Sequence, residues 1–285
     1  MKRVAIITNY NITEKAYAAI AVAERLIAHG CTVTAAVYNK ERFLKMAQDR
    51  AELLLLPIDE VYATADMIVV LGGDGTILEA ARRSATRGTP ILGINLGRLG
   101  FMAELESSEL QELNRIATGD YTVDERMMLD VTVYRDRDII FHDICLNDVA
   151  ITKGAIARIV YLNIKCDDVQ AMECGGDGVV IATPTGSTAY SLSAGGPIVE
   201  PDANSILVTP ICAHDVMSRC MVASDERQIT VELVKNAHRN AYVSVDGGKA
   251  QKLKIWLPEH CALKNVYITP YTPRAVPREA AKYTP

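Results

Sequence analysis

The stretch DMIVVLGGDGTILEA, residues 66–80, decides the reading of the fold. Met67 to Leu71 form a short, branched, unbroken apolar run, the pattern of a strand buried on both faces of a parallel sheet. After the glycines, Ile77, Leu78, Ala80 and Ala81 supply the apolar stripe of a helix, and Thr76 is placed to cap it by accepting a first-turn amide. Strand, glycine-rich turn and helix in this order predict a doubly wound α/β domain. Asp74 then stands at the carboxyl end of a strand, the side on which open α/β sheets place their ligands.

Two readings of this turn are open from its residues alone. In one, the glycines supply positive φ for a tight turn and Asp74 merely favours the helix N-terminus electrostatically. In the other, bare amides approach a phosphate while Asp74 orients or deprotonates a hydroxyl. Neither the G-x-G-x-x-G fingerprint nor a phosphate loop ending in Gly-Lys-Ser/Thr is present to decide between them.

The same alternation runs outward from this stretch. RVAIIT (3–8) reads as a strand, TEKAYAAIAVAERLIAHG as a helix stopped by Gly30, and CTVTAAVY as a second strand, with further apolar runs around residues 67 and 91. His29, beside Gly30, reads as a helix-terminal residue complementing the last carbonyls. Residues 1–119 therefore form the first domain. After Gly119 the pattern changes to period two, in YTVDERMMLDVTVYRDRDIIFHDICLNDVAIT, RIVYLNIKC, RQITVEL, AYVSVDGG and KLKIWL. Residues 120–264 read as a mostly β domain of sandwich type. VDGG (245–248) reads as its hairpin turn, since Asp-Gly and Gly-Gly suit positive φ. The proline-punctuated segment 265–285 either returns to the first domain or hangs loose.

With 285 residues, 49% of them hydrophobic, the chain can bury a core in two domains. A net charge of -5 without a basic run speaks against a nucleic-acid surface. MKRVAIITNY is too short in apolar residues for a signal peptide and no window reaches membrane-spanning length, so the expectation is a cytoplasmic protein that neither binds nucleic acid nor enters a membrane. The seven cysteines contain no C-x-x-C pair and read as reduced thiols, and the five histidines form no metal cluster.

The second unusual stretch is GGDGVVIATPTGSTAYSLSAGGPIVEP (175–201). VVIAT is strand-like, Pro184 ends the ladder, Thr185 or Ser187 can cap a short helix, and Gly195, Gly196 and Pro197 end it. A hydroxyl-rich helix start of small residues admits a nucleotide at close range, with the Tyr190 ring against a base; a capped connector between sheets accounts for it equally well.

GGDGT at 72–76, ND at 147–148 and TPTGSTAY at 183–190, in this order and spacing, closely resemble the three signatures of the NAD kinase family. GINLGRLGF and PICAHDVMSR resemble its connecting segments, so the likeness spans most of residues 66–250. Phosphofructokinases and diacylglycerol or sphingosine kinases have similar Gly-Gly-Asp-Gly segments, and it is TPTGSTAY after GDG that discriminates.

The resemblance implies a Rossmann-like first domain and transfer of the terminal phosphoryl group of ATP, or of polyphosphate, to the 2'-hydroxyl of the adenosine ribose of NAD. A divalent ion, magnesium by expectation, would arrive with ATP, and no resident metal ligand is assigned. Asp74 would be the base, with Gly72, Gly73, Gly75 and Thr76 as the floor for the phosphates. Asn147 and Asp148 would hold the adenosine ribose and base, Thr188, Ala189 and Tyr190 the adenine, and Asp177 the nicotinamide end. Thr185 and Ser193 belong to the same nucleotide-binding stretch, Phe101 would cover the adenine, and Arg98 would approach a phosphate. Adjacent strand residues face opposite ways, so joint use of Asn147 and Asp148 requires a bulge or a strand end. Many family members carry arginine where this chain has Gly175. The glycine leaves the nicotinamide end open, so NADH is expected as an acceptor beside NAD. The family likeness further implies a homodimer or homotetramer.

Overall fold

A computed structural model of the chain describes residues 2–39, 41, 53–96, 102–135, 138–154, 159–234, 241–253 and 264–271. The chain divides into two compact units, Met1–Asp124 and Glu125–Pro285. The residues following Gly119 stay with the first unit, where Lys2 Nζ donates to the Tyr121 hydroxyl at 3.1 Å and lies 4.5 Å from the centre of its ring.

The first unit runs β1 (Arg3–Thr8), α1 (Thr13–Ala28), β2 (Thr32–Ala36), β3 (Leu54–Leu56), α2 (Ile58–Thr64), β4 (Met67–Leu71), α3 (Asp74–Ser84), β5 (Ile91–Asn95), β6 (Leu105–Glu106) and α4 (Asn114–Thr118). Its sheet is parallel throughout, in the order β3-β2-β1-β4-β5-β6, the strand order of the doubly wound nucleotide-binding folds. Side chains alternate across each strand. Val4 and Ile6 of β1 with Met67, Val69 and Leu71 of β4 face α1 and α4. Ala5, Ile68 and Val70 face α2 and α3. Every residue of β4 is buried, as the unbroken apolar run requires. His29 ends α1 as expected, its Nδ1 2.8 Å from the Arg25 carbonyl, and Gly30 follows at φ 82.

The second unit is two antiparallel six-stranded sheets around one core, the sandwich expected from the period-two pattern. Its strands are β7 (Leu129–Arg135), β8 (Asp138–Cys145), β9 (Asp148–Lys153), β10 (Val160–Cys166), β11 (Val169–Gly176), β12 (Gly178–Ala182), β13 (Ser205–Ile211), β14 (Met221–Ser224), β15 (Ile229–Leu233), β16 (Ala241–Val245), β17 (Gln251–Leu253) and β18 (Lys264–Pro270), with a short helix α5 (Tyr190–Ser193). The orders are β11-β10-β15-β18-β7-β8 and β14-β13-β12-β9-β16-β17. Leu129, Val131 and Val133 of β7 pack inward with Val149 and Ile151 of β9, Val179 and Ile181 of β12 and Ile206 and Val208 of β13. The middle of the second sheet is buried on its other face as well. Ala150, Val180, Ala182 and Leu207 pack there against Ala194 and Val199, which lie just after α5. β18 pairs with β15 and β7, so residues up to 270 belong to this unit rather than returning to the first; 272–285 lie outside the described residues.

Among the described residues, no helix is long and apolar enough to cross a membrane. Six of the seven cysteines are free thiols, and Cys261 lies outside the described residues.

Candidate functional site

In the first unit the strand order reverses between β1 and β4, and this is where open α/β sheets leave a crevice at their carboxyl ends. Thr8 Oγ1 ties the two strand ends together by donating to the Leu71 carbonyl at 2.7 Å. Directly after Leu71 comes Gly72-Gly73-Asp74-Gly75-Thr76. The helix begins at Asp74 itself, not after a Thr76 cap: the N-cap is Gly73, no side chain caps the helix, and Thr76 lies inside the first turn. There the Thr76 hydroxyl sits over Gly72, where an added Cβ would come within 2.7 Å of it. Asp74 Oδ1 accepts the Met102 N–H at 3.4 Å.

The conformation of this turn bears on its two readings. None of Gly72, Gly73 and Gly75 has positive φ, and Gly73 is extended at φ -95. A Cβ built on Gly73 or Gly75 meets nothing within 4 Å among the described residues. Among the described residues, close contact thus calls for glycine in this turn only at Gly72. The backbone on either side of Asp74, at the amide-rich start of an 11-residue helix, is therefore unobstructed by the described residues, as the approach of a phosphate requires. Arg98 and Phe101 lie outside the described residues.

In the second unit the ND pair sits at a strand end, as joint use of both residues demands: Asp148 is the first residue of β9 and Asn147 precedes it. A contact invisible in the sequence holds this turn. Directly after β16 the chain makes a β-turn at Asp246 and Gly247, both with positive φ (47 and 65), in the connection to β17, whose Gln251 pairs with Val243. From it the Asp246 carboxylate accepts three consecutive amides, Leu146 to Oδ2 at 2.9 Å, and Asn147 and Asp148 to Oδ1 at 2.8 and 3.1 Å.

TPTGSTAY packs onto the same turn. Thr183 N–H donates to the Asn147 carbonyl at 2.9 Å, and Thr183 Oγ1 donates to the Leu146 carbonyl at 2.5 Å while accepting Gly186 N–H at 3.0 Å. The hydroxyl that organises the loop is therefore Thr183, not Thr185 or Ser187; residues 185–188 form a 3-10 turn without a side-chain cap. Gly186 is dictated by close approach, since a Cβ there would overlap the Asn147 carbonyl. Ser187 instead exchanges hydrogen bonds with the backbone of Val199, at 3.2 and 3.1 Å. Under the loop, Ser191 Oγ, Thr209 Oγ1 and Cys220 Sγ form a chain with separations of 2.9 and 3.1 Å.

The structure brings Asn147, Asp148, Thr188, Ala189 and Tyr190 together on this scaffold. Thr188 Oγ1 donates to the Thr185 carbonyl at 3.4 Å, the Thr185 hydroxyl is buried without a partner among the described residues, and Ser193 is exposed at the end of α5. Tyr190 is half exposed, and its backbone N–H donates to the Asp148 carboxylate. Asp148 is only 6% exposed. Burial and then the neighbouring Asp246 charge push its carboxyl up to about 7, against the stabilising Tyr190 amide. Burial likewise raises Asp246, partly offset by its three amides.

Asp177 carries its own partner, Lys153 Nζ at 2.6 Å, which sequence reasoning did not find. Gly175 lies opposite Tyr161 in the β10–β11 pair, and the Tyr161 ring lies beside it: a Cβ there would be 3.0 Å from Cε1. The position expected to be open thus lies against the Cδ1–Cε1 edge of an aromatic ring.

Residues 4–121 match the ATP-NAD kinase N-terminal domain and residues 146–267 the ATP-NAD kinase C-terminal domain. The NAD kinase of Caldanaerobacter subterraneus subsp. tengcongensis is 38% identical over 259 residues, covering 89% of this chain and 87% of its own. The chain belongs to the NAD kinase family. It is accordingly a kinase. The NAD kinase of Acetivibrio thermocellus, another family member, is 46% identical over 197 residues, 69% of this chain and 68% of its own. Yeast NADH kinase, solved in complex with NADH, has the same fold with a TM-score of 0.83 at 25% identity, over 96% of this chain and 82% of that one. The NAD kinase from Archaeoglobus fulgidus in complex with ATP matches with a TM-score of 0.65 at 26% identity, over 94% and 89%.

Proposed function

We propose that this chain transfers the terminal phosphoryl group of ATP to the 2'-hydroxyl of the adenosine ribose of NAD, giving NADP and ADP. The observation that carries the reading is Asp74, at the head of α3, between two glycines without positive φ on which a Cβ would meet no described residue. Phosphoryl transfer asks a protein for alignment and charge stabilisation more than for covalent chemistry, and unobstructed amides at a helix start supply both. Asp74 accepts the hydroxyl proton as the ribose oxygen bonds to the γ-phosphorus, and the electron pair of the broken P–O bond leaves with ADP. A divalent cation enters with ATP as part of that substrate.

Asn147, Asp148, Thr188, Ala189 and Tyr190 are the residues assigned to the adenosine half of NAD. The ionised Asp148 accepts a ribose hydroxyl alongside the Tyr190 amide. Asp177 with Lys153 is assigned to the nicotinamide half. NADH belongs in the reading as a second acceptor, because the reacting hydroxyl is remote from the ring that distinguishes it from NAD, and likeness to yeast NADH kinase favours it. A cytoplasmic homodimer or homotetramer is part of the same proposal, as is polyphosphate as an alternative donor.

Incubating the protein with NAD and magnesium-ATP and measuring NADP directly tests the reading. Parallel reactions replace NAD by NADH or ATP by polyphosphate. NADP or NADPH is the expected product, and formation of neither from any donor overturns the proposal.

A further inference from the structure

The turn that carries Asn147 and Asp148 is not held by its neighbours in sequence. Its three consecutive amides, Leu146, Asn147 and Asp148, all point at one carboxylate about 100 residues further along, that of Asp246. The return bond runs from Asp246 N–H to the Asp148 carbonyl at 2.9 Å. Asp246 is itself fixed in the left-handed region in a β-turn directly after β16, closed by Gly248 N–H on the Val245 carbonyl at 2.8 Å. Charge-assisted bonds to backbone amides are among the stronger hydrogen bonds, and three on one carboxylate over-determine the direction of the turn.

We propose that Asp246 is a positioning residue for nucleotide binding, its carboxylate clamping the Leu146–Asp148 turn so that Asn147 and Asp148 are aimed at the nucleotide before it arrives. The inference rests on the assignment of Asn147 and Asp148 to NAD made above. A clamp formed in advance spares the bound nucleotide the cost of ordering the turn.

The same carboxylate acts on Asp148 through space. The groups that face Asp148 are Asp246 from the β16–β17 hairpin, the Tyr190 amide and ring from α5, and Cys145 from the end of β8, with Asp143 of β8 acting in turn on Asp246. No cation is among these groups. The negative charge of Asp246 therefore makes Asp148 harder to ionise, a cost balanced by the geometry it imposes.

Asp246→Asn separates the two effects from a merely structural loss. Asparagine suits left-handed φ and keeps one acceptor oxygen, but it puts an amide donor opposite one of the three N–H groups and removes the charge. The expected result is a KM for NAD raised about tenfold, with kcat changed by less than about threefold. The acid limb of the KM profile, where KM rises as Asp148 protonates, should also move to lower pH. A KM within twofold of wild type, an unmoved limb, or kcat falling in proportion to unfolded protein in a thermal melt overturns the proposal. Should Asp246→Asn not fold, Asp246→Glu keeps the charge on a longer arm; a severalfold rise in KM supports the clamp and an unchanged KM contradicts it. Asn147→Ala, run beside them, tests the underlying assignment: an unchanged KM there defeats the reading of Asn147. A raised KM there with an unaffected Asp246→Asn defeats the clamp alone.

Discussion

Gly75→Ala should stabilise the protein while damaging its activity. Gly75 is the second residue of α3, its φ is not positive, and an added Cβ meets nothing within 4 Å among the described residues. Alanine at such a position restricts the unfolded chain without straining the folded one, a gain of about 0.4–1 kcal/mol, or roughly 2–4 °C in melting temperature for a unit of this size. If the space above this backbone belongs to the phosphates of the nucleotides, the same methyl group displaces them from the amides and from Asp74. A displacement of about 1 Å in an aligned phosphoryl transfer costs on the order of a hundredfold, and kcat/KM should fall by about tenfold to a hundredfold. Thermal melts and steady-state NADP formation on the same preparation read both numbers. A variant as active as wild type would refute the inference that the space is the substrate's. A variant less stable than wild type would refute the claim that the fold does not need the glycine.

Two further outcomes follow from the second unit. Gly186→Ala forces a methyl group into the Asn147 carbonyl, so it should cost about 1–3 kcal/mol in stability and raise KM for NAD, read by melts and initial rates; wild-type values for both would contradict the packing. Asp148→Asn bears on pH. The folded carboxyl ionises at about 7 and an unfolded aspartate near ~3.9, so the folded state binds the proton more tightly. That group's contribution to stability is full below about pH 4 and is lost as pH rises through about 7, by on the order of a few kcal/mol. Asparagine carries no charge to lose, so the melting temperature of Asp148→Asn relative to wild type should climb between pH 5 and pH 8; a difference that does not change with pH would contradict the burial of this charge.

The elements that announce themselves in the sequence are those whose pattern is local. MIVVL reads as a strand buried on both faces because nothing polar interrupts it, and LDVTVYR reads as a sandwich strand because Leu129, Val131 and Val133 alternate with polar residues. The GGDGT turn could be placed at a strand's carboxyl end, but that the strand borders the reversal of sheet order follows only from the pairing of β1 with both β2 and β4. Long-range bonds were out of reach. Asp246 reads as a turn residue from VDGG alone, and its three amides lie 98 to 100 residues away. Thr183 and Gly186 are inside a recognised motif, yet their roles in packing on Asn147 depend on β12 lying beside β9. Lys153 gains meaning only because that same pairing sets its strand against Asp177.

Asp74→Asn measured in a single turnover bears most directly on the claim that Asp74 is the base of a phosphoryl transfer to NAD. The side chain keeps its shape and an acceptor oxygen but cannot take the proton, so NAD affinity should stay within about threefold of wild type. The rate of NADP formation on the enzyme should fall by about a hundredfold to ten-thousandfold. A rate within severalfold of wild type, on folded protein that binds NAD, would contradict the assignment and leave Asp74 as a residue that only begins a helix.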